Sequence, residues 1–311
     1  MRILVTGGAG FIGKHILEWL EARGHALHVI DDFSTGRISH VGPNVALTKI
    51  DMTALSCDDL TGVLADFHAE AVVHLAAMHF IPDCMARPER TFAVNSGITH
   101  TLIEALSRHS VQRLVYASTM DVYSIDDHPH DEQEPPAPAN IYGLSKLIGE
   151  QIVAYGARRG LYQSACALRL ANVYGPDETN PHLIPEIIAR LDNPNTPELV
   201  MGYLGATRDF VFVREVAEAF GLAVTAAPSG FHCLNVGTGS PVSVREVVTT
   251  LQRLCNDSRP VRENPAVFRA FDRASLTPIV DSIRTVLDWR AHRSITQGLV
   301  ETIEAIHSNL G

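Results

Sequence analysis

No two of the five cysteines, Cys57, Cys84, Cys166, Cys233 and Cys255, stand at C-x-x-C spacing. That excludes the common zinc knuckle and the catalytic dithiol. It points to reduced thiols in a cytoplasmic protein, not to a disulfide framework. No apolar run reaches the length of a membrane span, since VVHLAAMHFI is cut by two histidines. The opening MRILVTGG lacks the apolar core and small-residue cleavage site of a signal peptide, and none is expected. Basic charge is short as well: 25 Lys and Arg face 35 Asp and Glu, a net charge of −10. Nucleic-acid binding, which rests on a basic face, is therefore not expected. The 15 histidines contain no H-E-x-x-H spacing, so no metal is expected and they read as surface or packing residues. Internal repeats and biased tracts are missing. What remains is a chain of 311 residues, 46% hydrophobic and 19% charged, sufficient for one large domain or two intimate ones. On so acidic a chain, an anionic ligand needs a local device, such as a helix N-terminus or a few arginines.

Short apolar runs alternate with helix-period stretches through the first half. The strands expected are Arg2–Thr6, Ala26–Ile30, Val45–Ile50, Ala71–Leu75, Leu114–Ala117 and Ser164–Leu170. Helical segments lie between them, for example Gly13–Arg23 and Ser96–His109, with Pro88 opening another. This alternation predicts an α/β fold, a Rossmann-type doubly wound parallel sheet covered on both faces. Beyond residue 171, Pro176, Pro181, Pro185, Pro194 and Pro197 mark an irregular region with a short helix near Pro185–Leu191. Asp209–Val213 and Cys233–Val236 read as strands that rejoin the first sheet, with a helix through Ala226 between them. The expected division is a dinucleotide-binding domain over 1–171, with 209–238 returning to it. A smaller, interleaved substrate domain takes up most of 172–311.

Gly8-Ala9-Gly10-Phe11-Ile12-Gly13 satisfies G-x-G-x-x-G, and Gly7 adds a second spacing. The motif gains meaning from following the strand ILVT and opening a helix. Such glycines let a pyrophosphate approach the helix N-terminus, and Phe11 and Ile12 seat that helix on the sheet. Asp31 ends the second strand 18 residues past Gly13. A carboxylate there binds ribose hydroxyls and repels a 2′-phosphate, which favours NAD over NADP, although Arg37 nearby softens that preference. An ordinary turn carrying Asp31 and Asp32 is the plainer alternative. Asp51, after the third strand, is a candidate adenine contact.

Tyr142-Gly143-Leu144-Ser145-Lys146 sets a tyrosine and a lysine at i and i+4 on one helix face. Proton exchange with a substrate hydroxyl needs a phenol far more acidic than its reference of about 10, and a nearby ammonium favours the phenolate. Lys146 is also placed to hold a nicotinamide ribose. About 25 residues upstream, a strand ends in Ser118-Thr119-Met120-Asp121, whose hydroxyls are candidates to bridge substrate and tyrosine.

TGGAGFIG, VIDDFSTGR, VVHLAAM, FAVNSG, ASTMDVY, YGLSK, LRLANVYGP, TRDFVFV and LNVGTG follow in order along nearly the whole chain. Together they resemble the extended short-chain dehydrogenase/reductases of the NAD-dependent epimerase/dehydratase family, UDP-glucose 4-epimerase-like members in particular. The resemblance implies NAD as cofactor, a nucleotide-sugar substrate and a homodimer through the helices near Gly97–His109 and Tyr142–Arg158. It makes Tyr142 the acid/base, Lys146 its partner and Thr119 the hydroxyl residue, with Ser118 and Asp121 as further catalytic candidates. Gly7, Gly10, Gly13, Asp31, Asp51, His79 and Asn95 fall on cofactor positions, and the candidate cofactor set also takes in Phe11, Ile12, Met52, Ala76 and Lys146. For the substrate nucleotide it implies Asn172, Leu183 and Arg208, and a late pair, Arg269 and Asp272.

The resemblance leaves the reaction open. Hydride removal from sugar C4 gives a 4-keto sugar, and return of the hydride from the other face inverts C4. Dehydratases of the family carry Thr-Asp-Glu before Val-Tyr, whereas here the run is Thr119-Met120-Asp121. An apolar thioether stands where a leaving-group acid is needed, which argues for epimerisation. Asp121 is the departure from 4-epimerases: either a base for C5 chemistry, as in dehydration or a decarboxylation sequence, or a structural hydrogen-bonding group. Ser124, where glycine commonly follows Val-Tyr, is a second. A dinucleotide-sensing regulator without turnover is the reading from another class, disfavoured by the intact Tyr142/Lys146 pair.

Overall fold

Every residue of Ala71–His74 is buried, as a strand covered by helices on both faces requires. The computed structural model describes residues 1–178, 180–264 and 273–308. Its chain starts with β1 (Arg2–Thr6), α1 (Phe11–Glu21), β2 (Ala26–Asp31), β3 (Ala46–Lys49), α2 (Cys57–Phe67) and β4 (Ala71–His74). Next come α3 (Ile81–Ala86), α4 (Pro88–Phe92), a π turn over Ala93–Gly97, and α5 (Ile98–Leu106). The first half closes with β5 (Arg113–Thr119), α6 (Ile141–Arg158) and β6 (Ser164–Leu170). The expected single helix Ser96–His109 is thus shorter, because the π turn takes its first residues.

The second half is more broken. It holds β7 (Asn172–Tyr174), α7 (Leu183–Asp192), β8 (Leu199–Met201), β9 (Thr207–Arg208) and β10 (Phe210–Phe212). Then follow α8 (Val213–Ala226), β11 (Gly230–Val236), β12 (Val242–Ser243) and α9 (Val244–Leu254). The last elements are β13 (Val261–Glu263), β14 (Ser275–Leu276), α10 (Asp281–Leu287) and α11 (Ile295–Ser308).

Seven strands form the main sheet in the order β11-β6-β5-β4-β1-β2-β3, and all its pairings are parallel. Alternation along β1 divides the core. Ile3 and Val5 join α1 and α8 on one face, while Leu4 joins α2 and α5 on the other. β11 rejoins this sheet beside β6. The strand expected over Asp209–Val213 does not: β10 pairs with β7 in a two-stranded sheet of its own, and residue 213 already opens α8. Tyr174, Phe210 and Phe212 there belong to a separate apolar cluster with α7 and α9.

The strand order reverses between β1 and β4, and a ligand-binding crevice is expected outside the carboxyl ends of strands at such a point. The turns after β1, β2, β4 and β5 all open at that edge. They carry Gly7–Gly13, Asp31, Leu75–His79 and Thr119–Asp121.

Candidate active site

Two glycines shape the turn after β1. Gly7 has φ +71°, and a Cβ there would lie 2.6 Å from the amide nitrogen of Ala76. At Gly13 a Cβ would lie 2.5 Å from the carbonyl oxygen of Gly8. Neither neighbour is a side chain that can move aside, so the backbone demands glycine at both. α1 then begins after Gly10 with no side chain capping its amides. Uncapped N–H groups and the positive end of the helix suit a diphosphate.

Asp31 is tied to this loop. One carboxylate oxygen accepts the Ala9 amide at 2.9 Å and the other the Phe33 amide at 2.8 Å. Burial raises its pKa against those bonds, and acceptor capacity remains for ribose hydroxyls. The arrangement fits the dinucleotide expected from sequence. Asp51 sits at the start of a short 3₁₀ turn, where it accepts from Thr53 and pairs with Arg90 at 2.6 Å. Burial opposes its ionisation, but Arg90 and Thr53 outweigh burial and hold its pKa down. Met52 beside it is buried in the core, and the Ala76 amide donates to Thr6 Oγ1.

Asn95 is only 1% exposed, and its amide is fully engaged. It accepts the Met78 amide at 2.8 Å and donates to the Met78 carbonyl and to Ser145 Oγ, both at 2.9 Å. These bonds brace the 76–79 loop on α6. His79 is half-buried, with Nε2 2.9 Å from Asn180 Nδ2. Burial and the neighbouring His182 lower its pKa to about 4, with Lys146 adding to the effect.

On α6, Asn140 caps the helix by accepting the Gly143 amide at 2.8 Å. The next turn carries Tyr142 and Lys146. The Thr119 side chain lies beside the Tyr142 phenol and works to lower its pKa, while its hydroxyl donates to Asp121 Oδ2 at 3.5 Å. Burial, and then the charge of Asp121, push the phenol well above its ordinary value despite Thr119. Lys146 Nζ lies 4.3 Å above the Tyr116 ring, and burial lowers its pKa to about 7 although Glu150 opposes this.

Ser118 departs from expectation. It is 2% exposed and donates to Glu150 Oε1 at 2.5 Å, so its hydroxyl is taken up beneath the site. Thr119, the next residue, points the other way along the strand. Glu150 also holds Arg169 through two bonds of 2.9 and 2.8 Å. Sequence reading missed this buried pair. Its signal was Glu150 one turn beyond Lys146, with an arginine inside the apolar run ALRL.

Asp121 is bound on three sides. Its Oδ1 accepts from Asn140 Nδ2 at 3.1 Å and lies 3.6 Å from Arg273 Nη2, and its amide donates to Thr119 Oγ1 at 3.2 Å. Arg273 in turn donates to the Tyr123 and Ser124 carbonyls. Met120 is 1% exposed and packs with Val122, Tyr123 and Leu276.

Around the outer rim, Asn172 is exposed at the start of β7, and Leu183 opens α7 half-buried. Arg208 lies in β9, where Nη1 donates to the Thr207 carbonyl at 2.7 Å. Arg269 and Asp272 lie outside the described residues. Asp209, which sequence reading passed over, is fully buried and accepts the Thr238 and Gly239 amides, locking the LNVGTG turn to the rim. Glu178 and His182, bonded at 2.5 Å, were also missed, as nothing in their local pattern marks them.

The profile of the NAD dependent epimerase/dehydratase family matches residues 3–237. UDP-glucose 4-epimerase of Azospirillum brasilense is 33% identical over 97% of this chain and 90% of that protein. The UDP-glucose 4-epimerase of Corynebacterium glutamicum is 31% identical over 100% of this chain and 97% of its own. Among solved structures, MoeE5 in complex with UDP-glucose and NAD superposes with TM-score 0.88 at 31% identity, covering all of both chains. UDP-glucose 4-epimerase of Thermotoga maritima, solved with UDP-glucose, reaches TM-score 0.91 at 26% identity over the full length of both. A glycine turn, an aspartate at the end of β2 and a Tyr-x-x-x-Lys helix at one sheet edge agree with that likeness, and the chain belongs to the NAD dependent epimerase/dehydratase family.

Proposed function

We propose that this NAD-dependent nucleotide-sugar epimerase inverts C4 of a UDP-sugar through a transient 4-keto sugar, with Tyr142 as acid and base. The observation that carries this reading is the Tyr142 phenol beside Thr119, one helical turn before a buried Lys146. Gly7, Gly10 and Gly13, with the start of α1 at Phe11 and Ile12, hold the cofactor diphosphate. Asp31 takes the adenosine ribose, Asp51 and Met52 border the adenine, and Ala76, His79 and Lys146 border the nicotinamide side. NAD, when bound, supplies the hydride acceptor and donor and a positive ring that favours the phenolate. Tyr142 removes the proton from the sugar 4-hydroxyl and later returns it, while Thr119 relays the hydrogen bond and fixes the phenol's direction. Lys146, with a pKa near 7, is charged or neutral at small cost, so it can follow the phenol's change of charge.

Asn172, Leu183 and Arg208 serve the substrate nucleotide, the guanidinium suiting phosphate oxygens. Residues 1–171 with the returning β11 carry the dinucleotide, and 172–311 mainly the nucleotide sugar. Met120, an apolar and buried thioether, stands at the position where elimination needs an acid. The bonds of Asp121 to Asn140 and Thr119 favour a positioning role over C5 proton abstraction. Among the described residues, no helix is long and apolar enough to cross a membrane. Free cysteines suit the reducing cytoplasm as the place of work. Exposed Ile148 and Tyr155 on α6 border an apolar groove with Leu147 and with Ile103 of α5, which supports a homodimer through these helices.

Incubation with UDP-, dTDP-, GDP- and CDP-sugars tests the reading. A C4 epimer formed from a UDP-sugar without net NADH supports it. A dehydrated or shortened sugar means the dehydratase or decarboxylase reading. Binding of the whole panel without conversion means a sensor.

A further inference from the structure

From the loop between β5 and α6, we infer a site for one divalent transition-metal ion of the zinc class, formed by His128, His130 and Glu134. Their ligand atoms all lie within 4.8 Å of one another. His130 Nδ1 is 2.5 Å from Glu134 Oε1, and His128 Nε2 is 3.2 Å from Glu134 Oε2. Ligands at about 2.0–2.1 Å from a tetrahedral ion are themselves roughly 3.3 Å apart. The His128 contact already has that spacing. The shorter His130 contact is a hydrogen bond whose proton an ion would replace.

The groups are held in place by bonds unrelated to any ion. His130 is fully buried, and its ring stacks on Tyr123 with centroids 4.8 Å apart and planes 13° from parallel. Its amide donates to the Thr277 carbonyl at 2.9 Å, and its carbonyl accepts from Asn235 Nδ2 at 3.0 Å and the Ile279 amide at 2.8 Å. Nε2 of the ring is buried without a partner, so Nδ1, facing Glu134, is the ring's one engaged polar atom among the described residues. Asp131 accepts the amides of Gln133 and Glu134 and fixes the turn that carries the carboxylate. His128, by contrast, is exposed, with its side chain at 57% exposure. It nonetheless folds back onto the same carboxylate, its ring centroid 4.8 Å from that of His130.

Two imidazoles and one carboxylate form the ligand set preferred by zinc and its neighbours, not by magnesium or calcium. Three protein ligands leave a fourth position for water, on the exposed side where the ion enters. The sequence pattern is H-x-H-x₃-E, which the search for H-E-x-x-H passes over. Bound there, the ion braces the segment between Thr119 and Tyr142 and stands apart from the proton transfer itself.

The test uses whole protein stripped with chelator and titrated with Zn²⁺ alone against a chromogenic competitor. We expect one zinc per chain and a melting temperature several degrees higher with zinc than without. His128→Ala and Glu134→Gln each weaken zinc binding roughly 100-fold or more and abolish the zinc-dependent rise. His307→Ala, at another exposed histidine, leaves both unchanged. Mg²⁺ in place of Zn²⁺ gives no rise. Absence of stoichiometric zinc, or binding indifferent to both His128→Ala and Glu134→Gln, overturns the site.

Discussion

The two ends of the cleft are built by different means. At the end proposed for the cofactor, the β1 turn, the start of α1 and Asp31 act through backbone shape and backbone amides over the first 31 residues. At the end proposed for the substrate, side chains meet from far along the chain: Asp121 with Arg273 and Asn140, and Asp209 with the Thr238 hydroxyl. Backbone devices tolerate little substitution, because the atoms in the way cannot move. Side-chain networks should lose function by degrees.

The sharpest break of that contrast is Gly13→Val. Its Cβ would press on the Gly8 carbonyl, so the purified protein should lose its cofactor altogether, as read by NAD content. Retained stoichiometric NAD would mean that the turn is softer than its contacts imply.

The next effect divides two neighbours. Thr119→Val should lower kcat by roughly 10–100-fold with the melting temperature kept. Ser118→Ala should leave kcat within a few-fold but cost about 1–3 kcal/mol of stability, since Glu150 loses a buried donor. Steady-state kinetics and thermal unfolding of both variants check this, and the reverse pattern would mean the strand faces are misassigned.

That pair also marks what a sequence can carry. The strands of the first half, the glycine turn, Asp31 and the Tyr142/Lys146 spacing are local patterns, and each was legible. Which of two consecutive hydroxyls faces Tyr142 depends on how β5 enters its turn, and no local pattern records that. The pairing of β10 with β7 was hidden because three short apolar residues suit the main sheet equally well. The π turn that holds Asn95, and the bonds by which Asn95 braces the 76–79 loop, left no local pattern. The Glu150–Arg169 pair escaped because each member looks like an ordinary charge until the fold buries both.

Stability against pH comes next in size. His74 and His79 have pKa values lowered by burial to about 3 and about 4. The unfolded chain therefore takes up protons at these sites first, and stability should fall as pH drops from about 6.5 toward 4. Lys146, lowered from 10.5 to about 7, works in the same direction at higher pH. Its burial penalty is full below about 7 and fades as pH rises toward 10.5. Cofactor-free protein should thus melt several degrees lower at pH 5 than at pH 7.5, and Lys146→Met should flatten its contribution above pH 7. Calorimetry across that range checks both.

The smallest effect is expected for Asp121→Asn. The substitution keeps an acceptor for Asn140 and removes a charge that hinders ionisation of Tyr142. Turnover should stay within about tenfold, with the acidic limb of the pH–rate profile moved to lower pH. Abolished turnover would assign Asp121 to C5 chemistry.

One measurement bears most directly on the whole account: kcat of Tyr142→Phe for C4 inversion of UDP-glucose, alongside its bound NAD and melting temperature. The account predicts a fall of about 10³-fold or more with cofactor and fold unchanged. Turnover within tenfold of the parent would contradict it.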